Sequence, residues 1–240
     1  MRLAIFSDIH GNLEALQKVL EKIADMQIDR VICLGDVVGY GADPNACVDL
    51  IQDVAQVVLA GNHDWAAVGL MSTEFFNPIP LMAIQWTEET LGQMQANFLR
   101  SCPLTRDEGQ VRYDHASPFE PEQWHYLSDL ADGRDALFKT HHRLCFVGHS
   151  HRAFICSASG RQDVVGEGDL SLDDSERYLV NVGSVGQPRD GDARAAFAVW
   201  DQECGNLRLH RVSYDVWAAQ QKIKAARLPH FLADRLALGK

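Results

Sequence analysis

Apolar residues in the first sixty positions fall into short continuous runs separated by amphipathic stretches, the pattern of parallel strands joined by helical crossovers. Leu3 to Phe6 reads as a first strand. Leu13, Leu16, Val19, Leu20 and Ile23 then recur at helical spacing behind Asn12, which predicts a helix with Asn12 as its cap. Val31 to Leu34 predicts a second strand and Ala42 to Asp53 a helix with Pro44 near its first turn. Gln56 to Ala60 predicts a third strand, bounded by Gly61 and Asn62. The expected class is α/β.

From about 65 to 105 the pattern becomes helical and rich in aromatic residues and Met, with Asn77, Pro78 and Pro80 breaking it. This insertion is expected to shape a cleft, its Phe75, Phe76 and Trp86 packing helices rather than stacking a nucleobase. Val111 to Asp114 predicts a strand, Pro121 to Leu130 a helix and Leu144 to Val147 another strand. Four segments then follow at close spacing, at Ala153 to Ser157, Arg177 to Val182, Ala195 to Trp200 and Leu207 to Val212. Their Gly/Asp-rich turns predict consecutive strands and a mainly β layer from the second half. Helices over Val216 to Arg227 and His230 to Leu238 close the chain, and no linker divides it. One domain spanning 1–240 is expected.

Composition narrows the function. Lys and Arg total 22 against 33 Asp and Glu, for a formal net charge of −11, which repels polyanions and argues against general nucleic-acid binding. A bound pair of divalent cations reverses that sign locally, so a small phosphate substrate remains compatible. No apolar run approaches the length of a membrane span, and the first residues enter a strand without a secretion signal. Six cysteines without CxxC pairing suit reduced, mostly buried thiols in a cytoplasm. A soluble cytoplasmic protein is expected.

The candidate chemistry lies where the strands end. Asp8 with His10, Asp36, Asn62, His115, and His149 with His151 each follow an apolar run, so five loops converge on one sheet edge. In an extended segment residues two apart face the same side, which lets Asp8 with His10, and His149 with His151, address one cavity. Gly35, Gly61 and Gly148 precede Asp36, Asn62 and His149 and permit close backbone approach. Imidazole, carboxylate and amide donors suit Mn²⁺, Fe²⁺, Ni²⁺ or Zn²⁺ better than Ca²⁺. These seven groups exceed the needs of one ion that keeps a position open for water, so two divalent ions are expected, manganese first, with Asp36 the natural bridging carboxylate.

The motifs SDIHGN (7–12), GDVVGYG (35–41), GNHD (61–64), HASP (115–118) and GHSH (148–151), with NVGSVGQPRDGD (181–192), resemble those of the calcineurin-like metallophosphoesterase superfamily. The similarity covers roughly residues 1 to 213 and implies a four-layer α/β/β/α sandwich of two mixed sheets flanked by helices. It implies one metal held by Asp8, His10, Asp36 and His151, and a second by Asp36, Asn62, His115 and His149. His63 is then left for chemistry, assisting in-line attack by a metal-bridging hydroxide, with Asp64 orienting its ring. Ser150, where the family often has Thr, and Val182, where it often has Pro, are departures that remove no ligand.

The compact bacterial and archaeal phosphodiesterase branch is the nearest resemblance, with a phosphomonoesterase or dinucleoside polyphosphate hydrolase as alternatives. A scaffold that has lost catalysis is the rival of another class, and the retained His63 argues against it. Asn12 either caps its helix or contacts substrate phosphate. The loop with Gly183, Gly186 and Gly191 either merely connects strands or offers Arg189 to phosphate. His141 and His142 read as a solvated helix end.

Overall fold

A computed structural model of the chain describes residues 1–74 and 76–240. In chain order its first elements are β1 (Arg2–Phe6), α1 (Leu13–Ala24), β2 (Arg30–Cys33), α2 (Pro44–Val54), β3 (Val57–Val58), α3 (Asn62–Ala67), α4 (Pro78–Thr90) and α5 (Gln93–Ser101). Next come β4 (Thr105–Glu108), β5 (Val111–Asp114), α6 (Leu130–Phe138), β6 (Leu144–Val147), β7 (Ala153–Ser157), β8 (Val164–Val165) and β9 (Gly168–Ser171). The chain closes with β10 (Tyr178–Val182), β11 (Ala195–Asp201), β12 (Asn206–Val212), α7 (Val216–Ala225) and α8 (His230–Asp234).

Among the described residues the strands form two mixed six-stranded sheets, ordered β3-β2-β1-β11-β12-β9 and β4-β5-β6-β10-β7-β8. Because a strand alternates its faces, a chain buried on both must be apolar at nearly every position. Leu3 and Ile5 enter the inter-sheet core with Ile32, Tyr113, Phe146, Val180 and Ala198. Their neighbours Ala4 and Phe6 face outward and pack with Leu16, Val19, Val48 and Ile51 of α1 and α2. On the far side Cys145, Val147, Cys156 and Leu179 meet Ala136 and Leu137 of α6. Two sheets face to face, each covered by helices, make the α/β/β/α sandwich.

Parallel pairing places the loops. β1, β2 and β3 run parallel to one another, as do β5, β6 and β10, so their carboxyl ends gather at one edge. Asn12 Oδ1 accepts from Ala15 N at 3.1 Å and caps α1, and Pro44 stands at the start of α2.

The strands of the second half do not make a layer of their own. β7, β8 and β10 complete one sheet, whereas β9, β11 and β12 pair onto the edge of β1 in the other. The chain crosses between the sheets after β8, after β9 and again after β10. The helix expected over Pro121 to Leu130 is a single 3-10 turn, Pro121–Gln123, flanked by left-handed residues Glu120 (φ 47°) and Trp124 (φ 52°). Helix α6 begins only at Leu130, because the Asp129 carboxylate accepts from Ala131 N and Asp132 N. β4 reads TRDE and lacks an apolar period, which hid it; β8 and β9 are short and half exposed.

His142 is not solvated as expected: it is 7% exposed, with Nε2 2.9 Å from Asp107 Oδ1. Trp86 packs among the C-terminal helices, while Phe75 lies outside the described residues. No described helix is long and apolar enough to cross a membrane, and five of the six free cysteines are buried, Cys204 being exposed.

Among the described residues one histidine lies within a strand. His210 of β12 stacks on Phe197, with ring centroids 4.9 Å apart. Burial, aided by Arg208, lowers its pKa from 6.5 to about 4. The folded chain therefore binds this proton more weakly than the unfolded one, and acid favours unfolding. The stability His210 contributes is intact above pH 6.5 and is lost as pH falls toward about 4. Urea midpoints measured across that window are expected to fall less steeply for His210→Phe than for the native chain; parallel curves would remove His210 as the cause.

Candidate metal centre

The loop after β1 carries Asp8 and His10, that after β2 Asp36, that after β5 His115 and that after β6 His149 and His151, while Asn62 opens α3 just beyond β3. All seven are buried at 0–7% exposure. The paired residues do not share a face through extended backbone. Asp8, His10, Asp36, His149 and His151 all adopt left-handed φ values of 57°, 51°, 51°, 64° and 60°. Such conformations are costly for residues with a Cβ and persist only where surrounding contacts impose them. Here Asp8 N donates to Gly35 O at 3.0 Å, His10 N to Asp36 O at 3.0 Å and Gly186 N to Asp8 O at 2.9 Å. His149 N donates to Asp8 Oδ2 at 2.9 Å, tying the two sheets together at the site.

Glycine is required where loops touch. A Cβ on Gly61 would stand 2.0 Å from Asp36 Oδ1, and one on Gly148 2.3 Å from Ser7 Oγ.

Two triads result, Asp8 with His10 and His151, and Asp36 with His115 and His149, the donor atoms of each lying within 4.8 Å of one another. Asp8 Oδ1 is 3.2 Å from His151 Nε2 and 3.7 Å from His10 Nε2. Asp36 Oδ2 is 3.3 Å from His115 Nε2 and 3.6 Å from His10 Nε2, so it faces both triads.

Hydrogen bonds fix the tautomers. His10 Nδ1 lies 3.0 Å from Val38 O, His115 Nδ1 3.1 Å from Leu34 O and His151 Nδ1 2.6 Å from Gln187 O. Each Nδ1–H donates to its carbonyl, which turns an Nε2 lone pair inward. His10 Nε2 and His151 Nε2 are 3.1 Å apart, an arrangement of two lone pairs that calls for a cation. Asp8 Oδ1, Asp36 Oδ2, Asn62 Oδ1, His115 Nε2 and His149 Nε2 are buried without any hydrogen-bond partner in the protein. Orphaned buried acceptors are uncommon, and five in one place fit divalent ions.

The electrostatics agree. Burial lowers His149 to about 3, with His115 adding to the effect. Burial likewise lowers His63 to about 4 and His10 well below its ordinary value. For His115 burial also pushes down, but the carboxylates of Asp36, Asp8 and Asp64 outweigh it and hold the ring at about 9, so that a proton on its inward Nε2 occupies the position a cation would take by displacing it. Burial opposes ionisation of Asp36, yet His115, His63 and His10 keep its carboxyl well below the usual range. Two charged carboxylates among mostly neutral imidazoles are a cation-binding set.

Residues 1–204 match the model of the calcineurin-like phosphoesterase superfamily domain. The chain belongs to this superfamily. An uncharacterized protein of Methanocaldococcus jannaschii is 43% identical over 242 residues, 99% of this chain and 98% of that one. Among solved structures, a metallophosphoesterase from Sphaerobacter thermophilus is 36% identical with a TM-score of 0.89, covering 100% of this chain and 99% of that one. A hypothetical protein of Pyrococcus horikoshii has the same fold at 20% identity and a TM-score of 0.81, over 100% and 98% of the two chains.

The remaining candidate residues of this superfamily member divide. His63 reaches the centre: its ring lies 4.9 Å from that of His10 and its buried Nδ1 has no partner. Asp64 does not orient it. Both Asp64 oxygens are taken by backbone amides, Val38 N at 3.1 Å and Gly61 N at 3.0 Å, the second because Asp64, in the first turn of α3, reaches back to the N–H of the residue that precedes the helix. Its carboxyl thus locks the GDVVGYG loop to the GNHD turn. Burial, with Asp36, raises it to about 7 against the pull of those amides.

Asn12, besides capping α1, donates through Nδ2 to Gly186 O at 2.8 Å, so both ends of its amide hold loops together. Arg189 lies at the mouth, bonded to Gln187 Oε1 at 2.8 Å and 5.6 Å from the Tyr40 ring centroid.

Aromatic walls were missed in the sequence. Tyr40 lies 4.5 Å from the rings of both His10 and His63, Trp124 5.9 Å from His115, and Tyr126 stacks on His149 at 4.0 Å. Tyr40 falls inside a recognised motif. Trp124 and Tyr126 carry no local signal, since they belong to the irregular segment read as a helix.

Proposed function

We propose that this protein hydrolyses small phosphate esters, phosphodiesters first, in the cytoplasm with two divalent cations. Asp8, His10, Asp36 and His151 would hold one ion, and Asp36, Asn62, His115 and His149 the other. When bound, the ions activate water for attack and neutralise charge on the phosphoryl oxygens. The observation that carries this reading is the convergence of five orphaned buried donor atoms on two adjacent triads.

The chain's own residues supply the rest. His63 stands beside the centre with a free ring nitrogen. Held near pKa 4 by burial, it is neutral at pH 7 and acts as an N–H donor to the developing charge on an ester oxygen. Tyr40, Trp124 and Tyr126 screen the centre from bulk water. Arg189 presents a guanidinium to the non-bridging oxygens. Imidazole, carboxylate and amide donors without a thiolate support manganese among first-row ions. Free thiols, one of them exposed, support a reducing compartment.

The test is hydrolysis of bis-p-nitrophenyl phosphate and p-nitrophenyl phosphate by chelator-stripped protein, with Mn²⁺, Ni²⁺, Zn²⁺ or Mg²⁺ restored. Metal-dependent turnover favouring the diester is expected. A higher rate on the monoester moves the assignment to a phosphomonoesterase. Silence with two ions bound leaves a non-catalytic scaffold.

A further inference from the structure

Next to the candidate metal centre opens a cleft of about 720 Å³ that shares with it only Arg189. No candidate ligand lines it, and it meets the centre at Arg189 and the backbone of His151. Arg152, which follows the candidate ligand His151, lines it, as does Arg189, whose backbone N–H donates to His151 O at 3.0 Å. Two further cationic residues, Arg134 and Lys240, border the same space, Lys240 bringing the terminal carboxylate with it.

The charges there are unequally committed. Asp129 spends its carboxylate on Ala131 N and Asp132 N, and Asp190 pairs with Arg211. Arg134 is held by Asp163 at 2.9 Å. Arg152 is exposed and has no ion-pair partner among the described residues, and Arg189 has neutral neighbours, the Gln187 amide and the Tyr40 ring, and no carboxylate partner among the described residues. On a chain of net charge −11 this is a local excess of positive charge. Leu130, Ala131, Ala153 and Val165 add apolar surface. Pockets of roughly 300–1,000 Å³ with an apolar body and a few placed polar groups are the usual form of small-molecule sites.

We infer that this cleft receives the leaving-group half of the substrate, and that this half carries a phosphate of its own beside an apolar or aromatic group. The substrate class is then a nucleotide-containing diester or polyphosphate. This rests on the phosphoesterase reading and deepens it. Water oxygen bonds to phosphorus at the centre, the phosphorus–oxygen bond toward the cleft breaks, and the departing oxygen ends with the proton. A simple monoester, with a small leaving group, leaves the cleft and its free guanidinium idle.

The experiment compares kcat/KM for diadenosine triphosphate and for bis-p-nitrophenyl phosphate in the metal-reconstituted chain and its Arg152→Glu and Arg152→Lys variants. Charge reversal is expected to lower the ratio of the two constants about tenfold, mainly through KM, and Arg152→Lys to restore most of it. The difference should shrink at high salt. Equal losses on both substrates, or no loss, overturn the inference. If neither substrate turns over, the phosphoesterase reading fails separately. Titration calorimetry with adenosine 5′-diphosphate then decides for the cleft: binding weakened by Arg152→Glu supports it, and equal binding, or none to the native chain, removes it.

Discussion

Replacing Asp36 by Asn is expected to remove about one ion per chain and to lower kcat by roughly 10³-fold. The carboxylate faces both triads, with Oδ2 3.3 Å from His115 Nε2 and 3.6 Å from His10 Nε2. An amide of the same shape keeps the Oδ1 acceptor that receives His63 N at 2.8 Å but carries no charge to share between two cations. The backbone around it is therefore spared. Circular dichroism should show an intact fold while elemental analysis shows the metal deficit. Full metal content together with full turnover would disprove the bridging role.

His63→Ala separates chemistry from binding. The variant is expected to keep both ions and lose turnover by about 10²–10⁴-fold, the range for removing a positioned acid–base or donor group. The bond from residue 63 N to Asp36 Oδ1 comes from the backbone and survives the substitution. The ring itself touches no carbonyl that would fix an inward lone pair, unlike His10, His115 and His151. If metal leaves with the side chain, His63 is a ligand and its role as a donor falls.

Much of the architecture is legible locally because local chemistry sets it. Asn12 carries its own capping oxygen three residues ahead of Ala15 N, and β7 has the expected bounds because Ala153 to Ser157 is apolar and closed by turn residues. The helix expected at Pro121 failed for a related reason. Two left-handed residues stop it, and the Asp129 cap restarts the helix nine residues later than its expected beginning at Pro121. A helical composition does not reveal which Asp will cap. Asp64 misled similarly: next to His63 in sequence, it turns its carboxylate to two amides instead.

By itself the sequence determined which donors stand at the ends of apolar runs, and that parallel strands carry them at their carboxyl ends. Both follow from short-range periodicity and from the rule that parallel strands share a carboxyl end. Only the tertiary structure decided how donors divide into triads, since His10 and His151 are 141 positions apart and meet only when the two sheets pack. It also decided the left-handed backbone at five of the ligand positions and the sheet to which each late strand belongs. Those outcomes depend on hydrogen bonds such as His149 N to Asp8 Oδ2, whose partners no local window contains. The aromatic walls over His115 and His149 are of the same kind, because ring contacts are settled by packing and leave no period in the chain.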